Sequence, residues 1–256
     1  MPDPLPVTPA FRLDGRRAIV TGAGRGIGLA MTAALAEAGA AVTLVARSAA
    51  EIEAGAAAIR TGGGSAKAAT LDVTDLGAVA AFFEGRPAFD ILVNNAGTNR
   101  PKPMWDVSEA DYDAVLGLNV KSAFFVAQAC ARRMIEAGLP GSLIHIGSQM
   151  GHVGGPNRSL YCASKWSIEG MNKSFALDLA RHGIRSNTIA PTFIETPLTR
   201  PYFEDEAFRA GVLEKIKLGR IGRVEDLMGA VVFLASEASA LMTGTSLIID
   251  GGWTAD

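Results

Sequence analysis

Tyr161 and Lys165, four residues apart, are the pair in this sequence best suited to moving a proton. From residue 160 the pattern turns helical, so the two side chains share one face a single turn apart. A free phenol titrates at about 10 and is a poor acid or base at neutral pH, but a neighbouring ammonium favours the phenolate and is expected to bring its pKa toward the working range. The hydroxyl of Ser148, earlier in the same stretch, could hold a substrate oxygen beside the phenol. Residues 143–146 form a short apolar run like a buried parallel strand, which Gly147 breaks just before Ser148, and a polar, Gly-rich loop leads on to the helix. A Tyr-x-x-x-Lys pair alone is equally a surface pair on an amphipathic helix, so the rest of the chain must decide.

A second feature with chemical meaning lies near the start. Residues 17–21 read as a strand, and Ile27, Ala30, Met31, Ala34, Leu35 and Ala38 form a helical stripe that ends at Gly39. Between them runs Gly22-Ala23-Gly24-Arg25-Gly26-Ile27-Gly28, a glycine turn that lets backbone N–H groups approach an anion at a helix N-terminus. A pyrophosphate would sit there. The spacing G-x-x-x-G-x-G departs from the strict G-x-G-x-x-G fingerprint, but its place between strand and helix favours a dinucleotide over a plain tight turn. Arg47 and Ser48 close a second strand at 41–46, where the adenosine ribose would lie, and neither is acidic. Arg47, with Arg25, could pair with a 2′-phosphate, which favours NADP(H) over NAD(H).

The elements that must position these residues alternate along the chain. Further strands are expected at 67–71, 89–93, 143–146, 184–189 and 246–249, with helices at 49–60, 79–83, 108–134, 160–181, 207–218 and 225–235. Ser108 can cap the long helix at 108–134, and Asn119 lies inside it, an uncommon place for an asparagine. This alternation implies a single-domain α/β fold, a doubly wound parallel sheet of about seven strands with helices on both faces. Residues 1–12, with Pro2, Pro4, Pro6 and Pro9, are expected to be a flexible leader to one domain over 13–256.

Composition narrows the function classes. A net charge of −2 gives no basic footprint for nucleic acid. No run of about 18 apolar residues and no basic start followed by an apolar segment is present, so neither a membrane span nor a signal peptide is expected, and the reading is cytoplasmic. Two cysteines make no disulfide framework, and three scattered histidines make no metal site.

Taken together, Thr21 to Gly28, Asp72-Val73, Asn94-Asn95-Ala96-Gly97, Asn119, Ser148, Tyr161-x-x-x-Lys165, Pro191 and Asp250-Gly251-Gly252 resemble the short-chain dehydrogenase/reductase family over residues 13–252. The resemblance implies a Rossmann-type fold, a catalytic set of Asn119, Ser148, Tyr161 and Lys165, and hydride transfer between a nicotinamide and a secondary alcohol or ketone. It further implies cofactor contacts from Gly22, Gly24, Arg25, Gly26, Ile27, Gly28, Arg47, Ser48, Asp72, Val73, Asn94, Ala96, Gly97, Tyr161, Lys165, Pro191, Ile194 and Thr196, with Lys165 holding ribose hydroxyls and Asn119 supporting a water chain. Thr192 stands where many members carry glycine.

For the substrate, Ser148, Gln149, His152, Asn157, Arg158 and Thr192 around the catalytic stretch, with Asn99, Arg100 and Lys102 after the fourth strand, suit a small polar molecule, anionic or neutral. The flavour resembles members acting on sugars, polyols and sugar acids. The alternatives are a 3-oxoacyl-thioester (acyl-carrier-protein) reductase and a non-catalytic nicotinamide-binding protein. The family also implies a homotetramer, and Phe124, Phe125, Ile168 and Phe175 are expected on a shared helical surface. The run 192–217, which follows Pro191 and contains Pro197 and Pro201, is expected to close over the substrate as a lid, with Phe193, Ile194, Leu198 or Phe203 inward and Glu204, Asp205 and Glu206 in solvent.

Overall fold

Strands that are apolar along their whole length must be covered on both faces, and only a parallel sheet wrapped by crossover helices does this. The computed structural model, which describes residues 5–255, has seven parallel strands: β1 (Arg17–Thr21), β2 (Ala41–Ala46), β3 (Ser65–Thr70), β4 (Ile91–Asn94), β5 (Gly141–Ile146), β6 (Ile184–Pro191) and β7 (Ser246–Ile249). Their order is β3-β2-β1-β4-β5-β6-β7. Successive residues of β1 serve opposite layers. Ala18 and Val20 pack with Met31 and Leu35 of α1 (Gly26–Glu37) and Leu227, Val231 and Leu234 of the later helix 225–235. Ile19 packs with Val79, Phe82 and Phe83 of the helix 76–84 and with Val126, Cys130 and Met134 of the helix 123–136.

The remaining helices are α2 (Ala49–Thr61), α3 (Leu76–Glu84), α4 (Glu109–Leu116), α5 (Ala123–Glu136), α6 (Ser159–Leu179), α7 (Glu206–Lys215) and α8 (Glu225–Ala235). One correction concerns the long helix expected at 108–134. Ser108 caps it with a reciprocal capping box to Asp111, as expected, but a π-helical turn over Gly117–Ser122 separates α4 from α5. By length and hydropathy the whole run Glu109–Glu136 would suffice for a bilayer span. Here α5 lies against β4 and β5 with Val126, Cys130 and Met134 buried, while α4 packs on α6 and buries Val115.

Of the expected leader, residues 1–4 lie outside the described residues, and 5–12 are exposed with no strand or helix. Leu13 is buried and its N–H donates to Ala38 O at 2.8 Å. On the outer surface of α5, Phe124 packs edge-on against Phe125 (5.4 Å between centroids) and Phe175 (5.3 Å). Ile168, expected beside them, points into the interior instead.

Candidate active site

The strand order reverses between β1 and β4, and ligands of such sheets gather outside the carboxyl ends at that switch point. The loops leaving β1 to β6 carry almost every residue singled out from the sequence. Thr21, last in β1, joins the two halves: its Oγ1 accepts from Asn95 N–H (3.0 Å) and Ala96 N–H (3.1 Å), while Asn95 Nδ2 donates to Thr21 O (2.9 Å) and Gly22 O (3.1 Å). Asn95 therefore pins the glycine turn, a role the sequence reading missed. Asn94 is engaged below it, donating to Ala123 O at 2.6 Å.

The turn itself is left-handed at Gly22 (φ +63°) and Gly26 (φ +56°). A Cβ at Gly28 would lie 2.3 Å from Gly22 O and 2.5 Å from Asn95 Nδ2, so α1 can start this close to β1 only without a side chain there. Arg25 occupies the N-cap of α1 without capping it, and the first turn holds no acidic residue. The helix thus offers its first N–H groups to an outside acceptor, which fits a nucleotide pyrophosphate. Beyond β6, Thr192 Oγ1 is buried with no hydrogen-bond partner among the described residues, a polar atom that a carboxamide of a bound nicotinamide could satisfy. Thr196 lies over Gly26, with Cγ2 3.4 Å from where a Cβ would be. Ile194 is buried, and Pro191 ends β6.

At the adenosine end one expectation needs correcting. Arg47 and Ser48 follow β2, with Arg47 exposed and Ser48 capping α2. No acidic residue occupies those two positions, yet Glu51 comes back from α2 to Gly24, where a Cβ would stand 2.7 Å from its Oε2, and it pairs with Arg25 at 3.3 Å. A carboxylate is thus present beside the turn, supplied one helical turn later than the sequence reading looked. After β3, Asp72 accepts from Thr74 N–H (3.0 Å) and Oγ1–H (2.7 Å), which with the nearby Arg47 charge holds its carboxyl below the usual range, and Val73 is buried.

The proton-transfer cluster sits at the ends of β5 and α6. Ser148 is held between two glycines packed onto α6: a Cβ on Gly147 would meet Glu169 Oε1 at 2.6 Å, and one on Gly151 would meet Lys165 O at 3.0 Å. Its Oγ accepts from Met150 N–H (3.1 Å) and donates to Gln149 Oε1 (2.7 Å). Lys165 Nζ lies 5.5 Å from the centre of the Tyr161 ring and donates to Ile146 O at 2.7 Å. Burial lowers its ammonium to about 8, with Glu169 acting in the opposite sense. Burial raises the Tyr161 phenol above its ordinary value, against the pull of the Ser148 hydroxyl and the Arg158 charge. The expected drop toward neutral is therefore absent here, because desolvation of the half-buried ring outweighs its neighbours.

Asn119 owes its mid-helix place to the π turn, which buries it against the β4 loop. Its Oδ1 accepts from Thr98 N–H (2.8 Å), and its Nδ2 donates to Thr98 O (2.9 Å) and Ser164 Oγ (3.0 Å). Ser164 in turn donates to Tyr161 O at 2.8 Å, so Asn119 ties the β4 loop to the helix that carries the phenol.

The substrate candidates divide. Gln149 is buried against Ser148. His152 turns away to Ser246 Oγ (3.0 Å) and Glu169 (3.6 Å), because the loop folds its ring beneath α6. Asn157 is exposed and left-handed (φ 58°), and its carbonyl accepts from Lys102 N–H at 3.1 Å. Arg100 and Lys102 are both bound to the buried Asp111, at 3.1 and 2.6 Å, so the two cations share one carboxylate. In the 192–217 run, Phe193 packs against Phe203, Phe208 and Trp253, Leu198 is exposed, and Glu204, Asp205 and Glu206 face solvent.

This geometry has counterparts. A family profile described as Enoyl-(Acyl carrier protein) reductase matches residues 22–254. The chain is 40% identical over 248 residues to gluconate 5-dehydrogenase of Gluconobacter oxydans, covering 95% of this chain and 96% of that protein. It is 40% identical over 257 residues to galactitol 2-dehydrogenase of Rhizobium johnstonii, covering 95% and 97%. Among solved structures, a gluconate 5-dehydrogenase from Burkholderia cenocepacia in complex with NADP and tartrate superposes with a TM-score of 0.92 at 41% identity, covering 96% of this chain and 98% of that one.

Proposed function

Because this chain belongs to the short-chain dehydrogenase/reductase family, we propose that it is an NADP(H)-preferring oxidoreductase of a sugar, polyol or sugar acid, with residues 13–256 as one cofactor-binding and catalytic domain. The observation that carries the reading is the meeting of Ser148, Tyr161 and Lys165 at the carboxyl end of the same sheet whose first strand leads into the uncapped glycine turn. In oxidation, Tyr161 Oη takes the proton of the substrate hydroxyl while Ser148 Oγ–H, turned from Gln149 Oε1, holds that oxygen; in reduction the phenol returns the proton to the forming alkoxide. Lys165 keeps a positive charge beside the phenol, and Asn119 fixes the loop that faces it. A bound nicotinamide nucleotide supplies or accepts the hydride.

Relatives that act on gluconate and galactitol support a sugar-type substrate over the acyl-thioester alternative. Steady-state rates on a panel of polyols, aldonates, simple ketones and 3-oxoacyl thioesters, with both cofactors, test the proposal. Turnover confined to the thioesters would overturn it.

The cofactor preference rests on Arg47 and Arg25, with Glu51 partly offsetting the latter. Arg47→Asp is expected to lower kcat/KM for NADP by tenfold or more and to erase or reverse the preference. A wild-type enzyme faster with NAD at equal concentration would contradict it. Exposed Tyr112, Phe124, Phe125, Trp166 and Leu177 on α4 to α6 support a homo-oligomer, the tetramer that the family resemblance implies. Multi-angle light scattering at micromolar concentration should give a mass several times 26.6 kDa; a monomer would refute it.

A further inference from the structure

Arg158 is the N-cap residue of α6 and is only 8% exposed, although Pro156, Asn157 and Ser159 around it are all exposed. Its Cγ lies 3.4 Å from where a Cβ of Gly155 would stand, so the loop glycine makes room for the stem as it turns inward. Among the described residues, its guanidinium has no hydrogen bond to any side chain or carbonyl and no carboxylate partner; its one hydrogen bond is made by the backbone carbonyl, which accepts from Cys162 N–H at 2.7 Å.

Such a placement runs against three ordinary preferences. A buried cation is costly unless it is paired. Arginine has no acceptor with which to cap a helix. The start of a 21-residue helix is moreover the positive end of its dipole, where a cation is disfavoured and an anion is favoured. All three are relieved together by one anion held between the guanidinium and the first N–H groups of α6. Tyr161 lies three residues on, on the same face, and feels the Arg158 charge, so the anion would sit beside the reacting oxygen. Of the other cations, Arg100 and Lys102 share the carboxylate of Asp111 and Lys165 donates to Ile146 O, whereas the Arg158 guanidinium has no such partner among the described residues.

We infer that Arg158, with the N-terminus of α6, binds the carboxylate of the substrate and selects sugar acids over neutral polyols. This rests on the sugar-type reading above and makes it narrower. A planar guanidinium matches a carboxylate in two parallel hydrogen bonds, which an ammonium cannot reproduce.

The test compares wild type, Arg158→Lys and Arg158→Met. Binding of D-gluconate to the NADPH-loaded enzyme, a pairing of reduced cofactor and alcohol that cannot react, is measured by calorimetry, and kcat/KM is measured for D-gluconate and galactitol. Thermal melts of the three proteins establish that each is folded. Arg158→Met should weaken D-gluconate binding by about ten- to a hundredfold and lower the gluconate-to-galactitol ratio of kcat/KM by at least tenfold, with Arg158→Lys between. The ratio removes any effect of Arg158 on the Tyr161 phenol, because that effect bears on both substrates alike. Equal losses on both substrates, unchanged gluconate binding, or binding of a sugar phosphate in place of gluconate would each overturn the inference. If wild type oxidises galactitol yet does not bind gluconate, only the carboxylate assignment fails; if it turns over neither, the sugar-type reading fails with it.

Discussion

Replacing Tyr161 by phenylalanine is expected to lower kcat by about a hundred- to ten-thousandfold, the range that a positioned general acid or base contributes, while the dissociation constant of NADP changes by less than about threefold. The ring keeps its packing, and only the hydroxyl beside Ser148 is lost. The acid/base role also fixes the pH direction. The half-buried phenol stands above its ordinary pKa, so its basic form grows as pH rises from neutral, and alcohol oxidation should accelerate over that interval. Carbonyl reduction draws on the protonated phenol and should not gain. Loss of the Lys165 proton at about 8 limits the oxidative rise on the alkaline side. A Tyr161→Phe enzyme that kept a tenth or more of wild-type kcat would remove the phenol from the mechanism.

Gly28→Ala should be nearly as damaging by a different route. The added Cβ would come within 2.3 Å of Gly22 O and 2.5 Å of Asn95 Nδ2, and neither is the loose end of a flexible side chain. Backbone must move, at a cost of about 1–3 kcal/mol for overpacking of this kind. If about 2 kcal/mol of that distortion falls on the nucleotide-bound state, affinity for NADP drops about thirtyfold. Gly211 in α7 is the control, because nothing lies within 4 Å of its would-be Cβ. Alanine there should gain about 0.5–1 kcal/mol of stability as a helix residue. Fluorescence titration of NADPH and denaturant melts measure both. Unchanged cofactor affinity in Gly28→Ala would mean that the turn does not hold the nucleotide.

What the sequence made legible was whatever depends on local pattern. The apolar runs located the strands to within a few residues, the glycine turn marked the start of α1, and Ser108 marked the start of α4. Long-range partner choice was not legible. Nothing in the spacing of Arg100 and Lys102 says that both close on Asp111, because the pairing depends on how the loop after β4 folds back onto α4. The π turn was hidden for another reason: a local widening of the helix leaves the apolar periodicity on either side intact. Glu51 was visible in retrospect, as the fourth member of Ser48-x-x-Glu51, a helix-start pattern whose acidic residue folds back toward the preceding loop. The phenol's pKa missed in sign because one neighbouring charge was weighed and the desolvation of the ring was not.

The strand order has a consequence for how this molecule reaches its folded state. Neighbours β1 and β2 pair after a short excursion, but β1 pairs with β4 at Ala18↔Ile91, far apart along the chain. Closing a loop of that length forfeits entropy before any contact repays it, which slows the collapse of parallel sheets. The glycine turn is pinned only when Asn95 arrives with β4, and the loop of Asn95 is in turn braced by Asn119 through Thr98. Nucleotide affinity therefore belongs to neither half of the sheet alone. In refolding, helical signal should precede the ability to retain cofactor, and a nucleotide present from the outset acts by holding the two halves together once they have met.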